Sequence, residues 1–98
     1  MRFEFRERRL LKLYLEGKSR EQYSKEVVEN FLQVMRLIEN APNEQTIRSV
    51  IALRLHKLKG DRKGQMGIKL SNQFRLVIEI NETSKGKIVK IIEIVDYH

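Results

Sequence analysis

The chain contains no cysteine, which excludes a disulfide framework and a cysteine-based zinc site. Long apolar runs are missing as well. None approaches the roughly 20 residues that a membrane-spanning helix needs. The first nine residues, MRFEFRERR, are charged throughout, where a secretory signal would carry an apolar core of about 7–15 residues. These absences lead to the expectation of a soluble, cytoplasmic protein with no membrane partner. Proline occurs once, at Pro42, and histidine only at His56 and His98. No carboxylate cluster and no His-x₃-His spacing prepares a metal site, so neither metal nor cofactor is expected. There are no repeats, linkers or low-complexity segments.

What is present is charge. Lys and Arg total 20 against 13 Asp and Glu, a net +7 in 98 residues. A chain of this length fits one domain, 1–98, with a single core, and the basic excess favours a polyanionic partner. The excess is concentrated. Arg54, Lys57, Lys59, Arg62 and Lys63 face a single acid, Asp61, within ten residues. Such a cluster would neutralise several phosphates and release their counterions; a solvated face is the plainer alternative. Arg6, Arg8, Arg9 and Lys12 form a second cluster, read as solvated helix surface with RNA contact as the rival reading.

The apolar pattern splits the chain in two. Residues 2–5 read as a short strand with Phe3 and Phe5 on one side. Residues 6–15 read as a helix with Leu10, Leu11 and Tyr14 inward, ended near Gly17. Ser19 offers a cap for a helix over about 21–40, whose stripe is Val27, Val28, Phe31, Leu32, Met35 and Ile38. Pro42 stops it. Residues 44–52 are ambiguous. From residue 53 the period moves toward two: Leu53 and Leu55 against Arg54 and His56, then Met66, Ile68 and Leu70 beyond the turn bracketed by Gly60 and Gly64. Phe74, Leu76, Ile78 and Ile80 alternate with Arg75, Val77 and Glu79, as in a half-buried strand. Residues 81–86 read as a polar loop. Residues 87–95 are apolar on both faces, which places this strand centrally in the sheet. The fold class is therefore α+β: a small antiparallel or mixed β-sheet with two N-terminal helices packed on one face.

The final strand runs directly into Asp96-Tyr97-His98. A strand-like segment thus delivers an acid, a phenol and an imidazole to the end of the chain, while the other imidazole, His56, sits in the basic stretch. Histidine suits proton transfer because its ordinary pKa, about 6.5, lies near working pH. Two histidines, many cations and nearby carboxylates are the ingredients of RNA cleavage by acid–base chemistry.

The stretch LHKLKGDRKGQ (55–65), the later NQFRL (72–76) and the terminal DYH together resemble the HigB toxins of the RelE/ParE superfamily of bacterial toxin–antitoxin systems. Met66 and Phe74 stand where members often carry Trp. The resemblance implies a ribosome-dependent endoribonuclease, an mRNA interferase that enters the ribosomal A site and cuts the messenger. Its implied partners are the ribosome, mRNA and a co-encoded helix-turn-helix antitoxin of the HigA type, with operator DNA bound only through the toxin–antitoxin complex. On this reading His56, Asp96 and His98 divide the proton transfers, and which is base and which is acid stays open. Tyr97 stacks on a base or assists catalysis. Lys59 and Arg75 clamp the phosphate, because fixed cationic donors stabilise developing charge. Arg54, Lys57, Arg62 and Lys63 grip RNA backbone. Two rivals stay open: a ParE-like toxin that inhibits gyrase without catalysis, and a basic RNA-binding module.

Overall fold

The computed structural model describes residues 1–18, 22–56 and 64–96, with backbone alone over 50–56. Strand β1, Phe3–Phe5, turns both phenylalanines inward and leaves Glu4 exposed, the alternation expected of a strand with one covered face. Helix α1, Arg8–Glu16, buries Leu10 and Leu13. Leu11, expected inward, is 40% exposed. The helix is rolled so that the residue three positions after Leu10, not the next one, meets the core. Tyr14 packs against Phe3 and Phe5 with ring centroids 5.7 and 5.6 Å away. Gly17 ends α1 with φ 70°, its N–H donating to the Leu13 carbonyl at 2.8 Å; a side chain there would be strained.

Helix α2, Lys25–Asn40, starts at Ser24, whose Oγ accepts from the Val27 amide at 3.2 Å. It begins later than the apolar pattern implied, and Ser19, the expected cap, lies outside the described residues. Its inward stripe is Val27, Val28, Phe31, Val34, Met35 and Ile38; Leu32 is only half-buried. Phe31 and Met35 are fully buried, and each such side chain contributes about 1.5–3 kcal/mol of apolar transfer. Beyond Pro42, the ambiguous segment is a third helix, α3, Glu44–Arg54. Asn43 Oδ1 caps it, accepting from the Thr46 amide and hydroxyl at 3.0 and 3.1 Å. Arg54 is therefore helical, and strand β2 is only Leu55–His56.

Strands β3, Gln65–Lys69, β4, Phe74–Thr83, and β5, Gly86–Asp96, complete the sheet. The expected loop over 81–86 shrinks to a two-residue turn, because Thr83 still pairs with Gly86. The strand order is β1-β5-β4-β3-β2. β1 runs parallel to β5 and the other neighbours are antiparallel, so the sheet is mixed and β5 is interior. Leu76, Ile78, Val89 and Ile91 join the helix stripes in one core. β4 is not half-buried as expected: Arg75 and Val77 are also buried, at 8% and 0% exposure. β4 is the middle strand, flanked along both edges by β5 and β3. Between Val77 and Ile78 the pairing skips from Glu93 to Ile91, leaving Ile92 as a bulge that reverses the facing of β5. Among the described residues no helix is long and apolar enough to cross a membrane.

Candidate active site

The β3–β4 turn is braced from within. Ser71 Oγ accepts from the Gln73 and Phe74 amides at 3.2 and 3.1 Å, and the Leu70 amide donates to the Phe74 carbonyl at 3.0 Å. Asn30 of α2 adds an external tie, its Nδ2 donating to the Leu70 carbonyl at 2.7 Å. So held, the turn directs Gln73 toward the end of β5, where Gln73 Nε2 donates to Asp96 Oδ2 at 3.1 Å. Asp96 is also placed by the ladder, directly opposite Phe74. Tyr23 stacks edge-on against Phe74 at 5.4 Å; burial chiefly, opposed by Arg9, raises its phenol above the ordinary tyrosine range.

Arg75 follows Phe74 on the other sheet face, paired across β3 with Lys69 and across β5 with Val95. Its Nη1 donates to the carbonyls of Ser71 at 2.6 Å and Phe74 at 3.2 Å. The guanidinium thus braces the same turn from beneath. Asp96 and Arg75 meet at one end of the sheet, but alternation puts them on opposite faces.

His56 belongs to the far edge strand. It pairs with Gly67, which pairs with Val77, which pairs with Glu93. Three strand spacings separate β2 from β5, roughly 14 Å, and three residues along β4 separate Val77 from Phe74, roughly 10 Å. The structure therefore joins Gln73 to Asp96, leaves Arg75 at the same end of the sheet on its opposite face, and sets the backbone of His56 across the width of the sheet. Arg54 ends α3, so it does not alternate with His56 on a strand as expected. Lys57, Lys59, Arg62, Lys63, Tyr97 and His98 lie outside the described residues.

Two features were not anticipated. One is Gln73, whose contact with Asp96 arises from pairing residues 23 apart in sequence; no local pattern encodes it. The other is a cleft of about 930 Å³ between the start of α2 and the β3–β4 turn, lined by Ser24, Asn30, Lys69, Ser71, Asn72 and Gln73 among others. Its wall mixes polar and apolar groups and carries one ammonium, Lys69, and one carboxylate, Glu26, so its charge favours a guest of neither sign. Among the described residues no group of three or more His, Asp or Glu converges to hold a metal ion.

Residues 3–98 match the family model described as the RelE-like toxin of the type II toxin–antitoxin system HigB. Among solved structures, the YoeB/ParE toxin from Agrobacterium tumefaciens shares the fold with a TM-score of 0.63 at 15% identity, over 100% of both chains. No curated protein matches the sequence.

Proposed function

Since the chain belongs to the HigB-like family, the RelE-like toxins of type II toxin–antitoxin systems, we propose that it is the ribosome-dependent endoribonuclease of such a system. The observation that carries this reading is the anchorage of Asp96. Strand β5 ends beside a braced turn, with Asp96 fixed by the Phe74 pairing and the Gln73 bond. Tyr97 and His98 follow it covalently, within roughly 7 Å by chain length alone. The family implies an antitoxin partner; a helix-turn-helix antitoxin, the ribosome and mRNA belong to this proposal, and operator DNA enters only through the toxin–antitoxin complex.

The chemistry is transesterification within the RNA, run without a metal. A base takes the proton of a 2′-hydroxyl, the 2′-oxygen bonds to phosphorus, and the bond to the 5′-oxygen breaks. An acid protonates that leaving oxygen, and a 2′,3′-cyclic phosphate remains. His56, His98 and Asp96 supply the proton transfers, each contributing about 10²–10⁴-fold. Arg75 and Lys59 stabilise charge on the phosphoryl oxygens, Tyr97 stacks on a base, and Arg54, Lys57, Arg62 and Lys63 hold backbone phosphates.

Primer extension on messenger from expressing cells tests the proposal. The intact chain is expected to produce discrete cuts inside reading frames, lost on deletion of Tyr97 and His98 or in His56→Ala. A soluble truncated protein that still cuts would remove the terminal residues from the mechanism. Inhibited supercoiling with intact messenger would assign the chain to gyrase binding instead.

A further inference from the structure

Helix α1 carries a face that the fold does not use. Arg8, Leu11, Lys12 and Leu15 recur at the i, i+3, i+4, i+7 spacing that defines one side of a helix. This side points away from the core, since Leu10 and Leu13 are the buried residues of α1. Leu15 is 72% exposed and Leu11 40%, and both cations are exposed beside them. Among the described residues, Arg8 and Lys12 have no acidic partner, whereas neighbouring Arg9 pairs with Glu7 at 3.2 Å. The face therefore offers two leucines one turn apart, framed by two charges left unneutralised.

We infer that this face of α1 is a docking surface for an acidic, amphipathic segment of the antitoxin. The inference rests on membership of the toxin family and not on the RNA-cleavage reading. The alternatives fit the residues less well. A second copy of the chain would set Arg8 and Lys12 against their own kind, in a protein already carrying +7. RNA would use the cations on its phosphates and gain nothing from Leu11 and Leu15. An acidic protein helix uses both. Its apolar residues cover the leucines, its carboxylates meet Arg8 and Lys12, and the like charge that keeps copies apart speeds the encounter.

The test uses the full chain and, as probe, the purified product of the open reading frame adjoining the toxin gene. Affinity is measured by calorimetry for the wild type, Leu11→Asp/Leu15→Asp and Arg8→Glu/Lys12→Glu. All four positions are exposed, so both variants are expected to fold, and circular dichroism with thermal melts verifies it. Each variant is expected to bind at least about tenfold more weakly, as loss of an interface anchor does, while messenger cleavage persists. Equal affinity for all three proteins, or no complex with the wild type, overturns the inference. So does a charge reversal that leaves this affinity intact and weakens ribosome binding, which would make the face an RNA contact. Absence of cleavage in every protein would instead count against the nuclease reading alone.

Discussion

Asp96 stands opposite Phe74 in the β4–β5 ladder and accepts a hydrogen bond from the residue just before it, Gln73. Two non-local constraints therefore converge on an exposed carboxylate one residue before the terminal Tyr-His pair. Strand pairing sets the Asp96 backbone and the Gln73 amide holds its side chain.

That restraint predicts a graded effect on cleavage. Asp96→Asn keeps the shape and an acceptor oxygen for Gln73 but loses the charge and basicity. If Asp96 takes part in proton transfer, single-turnover cleavage of ribosome-bound messenger is expected to fall about 10²–10⁴-fold. Gln73→Ala removes only one orienting bond, and a loss of about tenfold or less is expected. Unchanged rates in Asp96→Asn would leave this carboxylate no chemical role.

Arg75 is expected to matter for stability as well as for chemistry. It is buried and its Nη1 serves two carbonyls of the β3–β4 turn. Lysine carries the charge but lacks the rigid guanidinium that holds a donor where Nη1 sits between the two carbonyls. Arg75→Lys should therefore destabilise the fold by about 1–3 kcal/mol, chiefly because the Ser71 carbonyl loses its donor, while the Phe74 carbonyl keeps the Leu70 and Ser71 amides. Urea midpoints at constant m-value measure this. A midpoint equal to that of the wild type would mean that the turn stands without the guanidinium.

The contrast between Asp96 and Gln73 shows what local pattern can and cannot carry. The run KIVKIIEIV before Asp96 is apolar enough to announce an interior strand, and β5 is one. Phe74, Leu76 and Ile78 announce the core face of β4 in the same way. The third helix was hidden because Ile47 is its one described buried side chain, amid β-branched Thr46, Val50 and Ile51, which favour strands. The burial of Arg75 was hidden because alternation assumes a solvated second face, and the central place of β4 is a property of strand order. Parallel pairing of β1 with β5 joins opposite ends of the chain, and the bulge at Ile92 appears only once β4 and β5 are aligned.

Acid should loosen the junction of α3 with the β4–β5 hairpin. Glu44 accepts from Arg48 at 2.8 Å and from Lys87 at 2.9 Å, and these bonds, Arg48 first, hold its carboxyl below the ordinary 4.5. A depressed folded-state value means that the contribution is fully present above the unfolded value and is lost as pH falls through the folded one. The stability difference between wild type and Glu44→Gln is therefore expected to be constant near neutrality and to shrink below about pH 4.5. The carboxylate is half-buried at the surface and its partners are solvated, so screening keeps the effect small. A difference that widens toward acid would contradict the assignment.

Ser24 sets where α2 begins, and with it the position of Asn30 beneath Leu70. Its hydroxyl oxygen satisfies the Val27 amide, one of four N–H groups that a helix start leaves without partners. Ser24→Ala should cost about 1 kcal/mol, seen as a melting temperature lower by roughly 4–8 °C for a domain of this size. Ser24→Asp should restore most of it, because a carboxylate caps as well and favours the positive end of the helix dipole. The rescue separates capping from mere loss of a hydroxyl. If both variants melt with the wild type, the start of α2 is fixed by the packing of Val27 and Val28 instead.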